Sequence, residues 1–327
     1  MHLDEFQLHQ PESLPEAISL AREFAGQFDY LAGGTDLLPN YKMHLNPRPH
    51  LISLDAIPEL HRFSPDQGDL GAMVRLREME GSAGLASRYP AVAQAAREVA
   101  TPLVRASGTL GGNLLVETRC FFFNQSYFWR QSLGFCLKAD GDRCHVVPQK
   151  EKCYATFSGD LAPALMALDA RVRLMGPEGT REIPLTDLYP RDGDGIRRTS
   201  LRAGEVLEGV TLPPPVQGLR SIYLKLRVRP SYDFPELGVA VALCQDGGRV
   251  SHLRVALGGL EMVPRRMDAL TDPLVGSQLT GESLRALGEA IRSAVRPVHN
   301  TFLAPDYRRK MTAVLVRRAV RSLTEGS

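Results

Sequence analysis

The apolar positions of this chain switch repeatedly between helical and strand spacing, and each switch marks an element. Leu14, Ile18, Ala21 and Phe24 recur at helical intervals behind Ser13 and Glu16 in capping-box spacing, which predicts an amphipathic helix over 13–26. FDYLAGGTDLLP at 28–39 then runs as a strand into Gly33-Gly34 and Thr35-Asp36, a succession of strand, glycine turn and polar cap that can receive an anion. HLISLDAIPEL at 50–60 reads as a buried strand and turn, YPAVAQAAREVA at 89–100 as a helix, and GTLGGNLL at 108–115 as a second glycine turn.

From about 116 to 158 neither period holds, and this aromatic, cysteine-rich stretch reads as an insertion. Regular patterning resumes in DLAPALMALDARVRLMG, a helix beginning at Asp160 and running into a strand. GEVLEGVTLPPP at 204–215 is a strand closed by prolines, and the triple proline is taken as a domain boundary. LRSIYLKLRVR, LGVAVALCQ and RVSHLRVALGG give three strand-like runs, the last two joined by a hairpin turn at Asp246-Gly247-Gly248. ESLRALGEAIRSAV and PDYRRKMTAVLVRRAVRSL close the chain as amphipathic helices. The expected fold class is α+β: a two-part region over 1–214 that carries the insertion, then a smaller antiparallel sheet with helices over 215–327.

Composition adds mainly exclusions. With 327 residues, 43% of them hydrophobic and 23% charged, the chain has the makings of two or three globular domains. A net charge of +2 without a concentrated basic stripe argues against a nucleic-acid partner. The start MHLDEFQLHQPESL has no basic segment leading into an apolar run, and no stretch approaches about 18 uninterrupted apolar residues; a cytoplasmic chain without membrane insertion is expected. Arg308, Arg309, Lys310, Arg317, Arg318 and Arg321 in the last helix read as a solvated face, or else as a docking face.

Four of the five cysteines crowd into the insertion as Cys120-x15-Cys136-x7-Cys144-x8-Cys153, while Cys244 stands apart as a small buried apolar residue. In a reducing compartment such a set is a metal site before it is a pair of disulfides. The spacing lacks the close pairs of structural zinc sites and the short C-x₂-C runs of ferredoxins. A [4Fe–4S] cluster needs one thiolate per iron and accepts any connecting chain that reaches, so iron–sulfur is the favoured reading and zinc the alternative. Phe121, Phe122, Phe123, Tyr127, Phe128, Trp129 and Phe135 would shield such a cluster or form the insertion's own core, and His145 is read as a neighbour rather than a ligand.

Neither glycine turn reads G-x-G-x-x-G, which argues against a Rossmann site, yet two turns could grip one pyrophosphate through backbone N–H groups. AGGTDLLP at 32–39 and TLGGNL at 109–114 resemble the paired FAD-binding loops of the flavoprotein subunits of the xanthine dehydrogenase and carbon monoxide dehydrogenase family. HLISLDAIPEL, GEVLEGVTLP and DYRRKMTAVLVRRA are similar to that family too, so the resemblance spans almost the whole chain. It implies a two-subdomain, PCMH-type FAD-binding region followed by a C-terminal domain of the CO dehydrogenase flavoprotein type.

Carried over residue by residue, the resemblance gives Ala32, Gly33, Gly34, Thr35 and Asp36, flanked by Leu31 and Leu37, to the pyrophosphate from the first loop, and Thr109, Gly111, Gly112 and Asn113 from the second. Asp160 falls near the ribose and adenine end and Lys225 near the flavin, with Ala100, Thr101 and Leu207 as less distinctive contacts. From the residues alone Asp160 fits a helix N-cap and Lys225 a solvated strand lysine. The four-cysteine insertion resembles that of the branch reducing 4-hydroxybenzoyl-CoA, which implies an oxidoreductase subunit with FAD and a [4Fe–4S] cluster and no catalytic acid, base or nucleophile of its own. Its implied partners are a molybdenum-cofactor catalytic subunit and a [2Fe–2S] subunit, in a dimer of heterotrimers, with a ferredoxin-like external donor. Two alternatives stand beside it: an FAD subunit running oxidatively, as xanthine and aldehyde dehydrogenases do, to NAD or another acceptor, and a scaffold subunit with structural zinc.

Overall fold

A computed structural model describes residues 3–325 of the chain. The N-terminal layer is a three-stranded parallel sheet in the order Gln7–His9, His50–Ser53, Phe28–Leu31. Ser13 caps the helix Leu14–Glu23 by accepting the Glu16 N–H, and the helix buries Leu14, Ala17, Ile18 and Ala21, one face at helical spacing.

The middle layer is a five-stranded antiparallel sheet ordered Phe63–Ser64, Asp69–Gly71, Val206–Thr211, Arg171–Gly176, Gly179–Pro184. Short helices cover it, among them Pro90–Glu98 and the wholly buried Leu161–Ala167. The helix expected over 89–100 stops at Glu98 because Ala100 takes a left-handed φ of 40° and Thr101 precedes a proline, which disfavours helical backbone.

The C-terminal layer is a four-stranded antiparallel sheet containing Arg220–Leu226, Leu237–Asp246, Arg249–Gly258 and Arg265–Arg266. Gly247 and Gly248, both at positive φ, make the expected two-residue hairpin. The V-A-V-A-L alternation sorts its two faces: Val239, Val241 and Leu243 pack under the helices Gly281–Ala294 and Pro305–Glu325, whereas Ala240 and Ala242 join the core of the middle layer. Small side chains on that second face let the helix Leu161–Ala167 lie close against the sheet, so the core of the middle layer takes in residues from beyond the triple proline while the C-terminal layer keeps a core of its own under its helices.

Arg308 corrects the reading of the last helix. It is fully buried and donates to the carbonyls of Glu236 (3.0 Å), Val298 (3.2 Å) and Gly259, and it bridges the helix to the sheet instead of facing solvent.

Candidate functional site

The strand Phe28–Leu31 delivers the chain into the first glycine turn, where Gly34 adopts a φ of 68°. A Cβ on Gly33 would stand 1.9 Å from the Ser107 carbonyl oxygen, and one on Gly112 would face the Ala32 Cβ at 3.9 Å. The two glycine turns thus pack against each other, as the sequence predicts. Their donors differ, however. Among the described residues no backbone carbonyl takes the N–H of Gly33, Gly34 or Thr35. The second turn is a short helix, Leu110–Leu114, whose N–H groups are engaged: Gly111 donates to Ala72 O (2.8 Å), Gly112 to Thr109 Oγ1 (3.1 Å) and Asn113 to Thr109 O (3.0 Å). The first turn thus leaves its N–H groups without a backbone carbonyl, whereas the second has its own engaged. Gly111 is a glycine because a Cβ there would meet the Ala72 Cβ at 2.9 Å.

Asp36 begins the helix Leu37–Lys42 without capping it by its side chain. Its carboxylate instead pairs with Arg119 and takes the Glu117 N–H at 3.4 Å. Arg119 also lies over the Phe234 ring, 4.6 Å from its centroid. The first glycine turn is thus tied to the residue that precedes Cys120, a link that no spacing in the sequence announces.

Asp160 and Lys225 form a fully buried ion pair at 3.0 Å, with the Tyr223 hydroxyl donating to the other Asp160 oxygen at 2.7 Å and Lys225 also donating to the Glu98 carbonyl at 2.9 Å. Asp160 leads the helix Leu161–Ala167 without a side-chain cap bond, and Lys225 is no solvated strand lysine. Their contact brings the two residues, expected at different parts of the cofactor, to a single locus. Burial holds the Asp160 carboxyl above its ordinary range, and Lys225 and Tyr223 counter this.

The remaining positions bond to neighbouring backbone or pack in the core. Thr101 caps the helix Pro102–Ser107, the Ala100 carbonyl accepts the Tyr232 N–H at 3.0 Å, and Asn113 Oδ1 accepts the Leu161 N–H at 2.9 Å. Leu207, 3% exposed, belongs to the core of the middle sheet.

The insertion closes at its neck through an antiparallel bridge between Arg119 and Thr156, and its one regular element is the helix Tyr127–Ser132. Inside it Cys120, Cys136, Cys144 and Cys153 line one small pocket, together with Phe122, Phe123 and His145. The sequence spacing gave no geometry; the fold brings all four thiols to one space. Among the described residues no group of three or more His, Cys, Asp or Glu is placed so that it could hold a metal ion. A lone tetrahedral zinc would draw its sulfurs to within about 4 Å of one another. Burial pushes the Cys120 thiol up to about 12 and Cys153 to about 11, each raised further by the other cysteines. The Phe123 N–H donates to the Cys120 carbonyl at 3.1 Å and the Ala139 N–H to the Cys136 carbonyl at 2.7 Å, so the backbone turns tightly at both cysteines.

Residues 4–215 match the family described as FAD binding domain in molybdopterin dehydrogenase, and residues 222–323 that described as CO dehydrogenase flavoprotein C-terminal domain. The chain belongs to this family: it is an FAD-binding oxidoreductase subunit of the xanthine and CO dehydrogenase type. It is 34% identical, over 92% of its length and 94% of the relative's, to the aldehyde oxidoreductase FAD-binding subunit PaoB of Escherichia coli K12. It is 28% identical to the carbon monoxide dehydrogenase medium chain of Hydrogenophaga pseudoflava, over 96% of each chain. A solved structure of carbon monoxide dehydrogenase from that organism superposes with a TM-score of 0.81 at 27% identity, covering 99% of both chains. Among the described residues no helix is long and apolar enough to cross a membrane.

Proposed function

We propose that this chain is the FAD- and [4Fe–4S]-carrying electron-transfer subunit of a molybdenum enzyme, placed beside a molybdenum-cofactor subunit and a [2Fe–2S] subunit in a dimer of heterotrimers. The observation that carries the reading is the meeting of all four insertion cysteines around one cavity, joined through Arg119 to the first glycine turn. FAD when bound supplies the exchange between one-electron and two-electron chemistry, and a [4Fe–4S] cluster supplies single-electron transfer.

This chain's own residues do the rest. The free N–H groups of Gly33, Gly34 and Thr35 receive the pyrophosphate, Thr109 and Asn113 approach it from the second turn, and Arg119 fixes Asp36 and hence the turn's entry into its helix. Cys120, Cys136, Cys144 and Cys153 hold the cluster, while Phe122 and Phe123 keep water from it.

The insertion supports a reductive enzyme acting on 4-hydroxybenzoyl-CoA, with electrons from a ferredoxin-like donor entering at the cysteine site and passing by the flavin to the partner clusters and molybdenum. The 34% relative favours a second reading, in which an aldehyde is oxidised and electrons leave through this chain to an external acceptor. Anaerobic purification with iron, sulfide, zinc and flavin quantified on one sample tests the shared part: about four iron and four sulfide with one FAD per chain are expected. Zinc without sulfide rejects the cluster. Assay of the whole enzyme for dye-linked aldehyde oxidation and for reduction of 4-hydroxybenzoyl-CoA then separates the two substrates.

A further inference from the structure

We infer that Lys138, with Glu117 and Arg198, is a charge device that sets the reduction potential of the cysteine-held centre. The inference rests on the cluster reading above. Lys138 lines the cysteine cavity, is 8% exposed, and lies 4.8 Å from the centroid of Phe123, which lines the cavity too. Its Nζ is ringed by oxygens: Glu117 Oε1 at 2.5 Å, the Gly195 carbonyl at 2.8 Å, the Thr118 carbonyl at 3.4 Å and Thr118 Oγ1. Thr118 spends its own hydroxyl proton on the Gly195 carbonyl at 2.7 Å, so every one of these oxygens is an acceptor toward Lys138. An ammonium sets three donors and no lone pair against these four acceptors, whereas a neutral amine would turn a lone pair toward one of them.

Glu117 also pairs with Arg198 at 3.4 Å, so the carboxylate beside Lys138 is shared between two cations, with the Asp29 carboxyl a further charge near Arg198. The arrangement is built, since Gly195 admits the loop that carries the accepting carbonyl: a Cβ there would stand 2.6 Å from Cys153 Sγ. The loop whose carbonyl accepts from Lys138 therefore runs directly against the Cys153 sulfur.

A fixed positive charge in a dry site favours whichever redox state is more negative. When the centre takes one electron from a reductant, no bond forms or breaks and its net charge falls by one, so Lys138 stabilises the reduced state. Lys138→Met therefore lowers the midpoint potential and Glu117→Gln raises it. For a unit charge beside the cavity at an effective dielectric of about 20, each changes the reduced-to-oxidised ratio at a fixed applied potential by at least about tenfold, or about 59 mV for one electron.

The test is a mediated potentiometric titration of the anaerobically purified whole enzyme, followed by electron paramagnetic resonance, with iron and sulfide counted on every variant. Opposite shifts in the two variants, with Lys138→Arg within about threefold of wild type, are expected. A loaded centre whose potential stays put in Lys138→Met overturns the inference and leaves the cluster standing. Should Lys138→Met fail to load, Glu117→Gln decides alone, and an unmoved or lowered potential there overturns it. A wild-type chain without iron and sulfide removes the cluster, and this role with it.

Discussion

The C-terminal layer and the cysteine insertion each seat a buried cation among backbone carbonyls, yet they are held together in different ways. Arg308 sits between a long helix and ten-residue strands whose Val and Leu side chains already form a continuous core. Lys138 sits in a segment whose buried apolar members include Phe123, Ala139, Ala155 and three of the cysteines themselves. In the first region the polar contacts complete an apolar core; in the second they replace one. A segment with so few buried side chains must draw order from its neck bridge, from the Arg130 guanidinium donating to the Met43 and His44 carbonyls at 2.8 and 2.9 Å, and from whatever its thiols hold.

The largest effect should come from the C-terminal cation. Arg308→Met leaves the carbonyls of Glu236, Val298 and Gly259 without this donor and Glu236 without its cation, although Thr301 and Phe302 still donate to that carboxylate. A loss of about 3–5 kcal/mol is expected from chemical denaturation. A loss below about 1 kcal/mol would break the comparison, since the layer would then be held by its apolar faces alone.

A somewhat smaller, pH-dependent effect is expected where the C-terminal sheet meets the rest of the chain. Lys225→Met strands the buried Asp160 carboxyl, for a cost of about 3 kcal/mol at neutral pH. Asp160 is already raised from 3.8 by burial. A carboxyl raised in the folded state contributes stability below its unfolded value, and that contribution fades as pH rises through the folded value. Without Lys225 the folded value climbs further, so the variant's deficit should be smallest in acid and grow with pH. Unfolding curves at several pH values with a flat deficit would show that Asp160 is not the group left unpaired.

What the sequence disclosed follows the same division. The hairpin at Gly247-Gly248, the capped helix after Ser13 and the Val/Ala alternation rest on local backbone preference and side-chain period, both of which are written in adjacent residues. The packing of the two glycine turns was legible through resemblance. Which turn keeps its N–H groups free was not, because that depends on Ala72 and Thr109 taking the donors of the second. Asp160 with Lys225, Asp36 with Arg119, and Lys138 with Glu117 are long-range pairings of charged residues that no period encodes. Lys138 left one faint signal, its position two residues after Cys136.

The smallest expected effect sharpens the contrast most directly. If the thiols' occupant supplies order that the insertion's few apolar contacts cannot, iron chelation or Cys136→Ala should open the insertion locally and leave the sheets folded. Cleavage between 119 and 156 by a dilute protease should then speed up about tenfold, a local loss of about 1.4 kcal/mol, while the strands Leu237–Asp246 and Arg249–Gly258 stay uncut. Bound flavin should largely survive, because Gly33, Gly34 and Thr35 lie outside the insertion, with some loosening where Arg119 holds Asp36. Equal cleavage with and without iron would mean that the neck bridge and Arg130 order the segment by themselves. Cooperative loss of the whole chain would mean that the insertion is no separate unit at all.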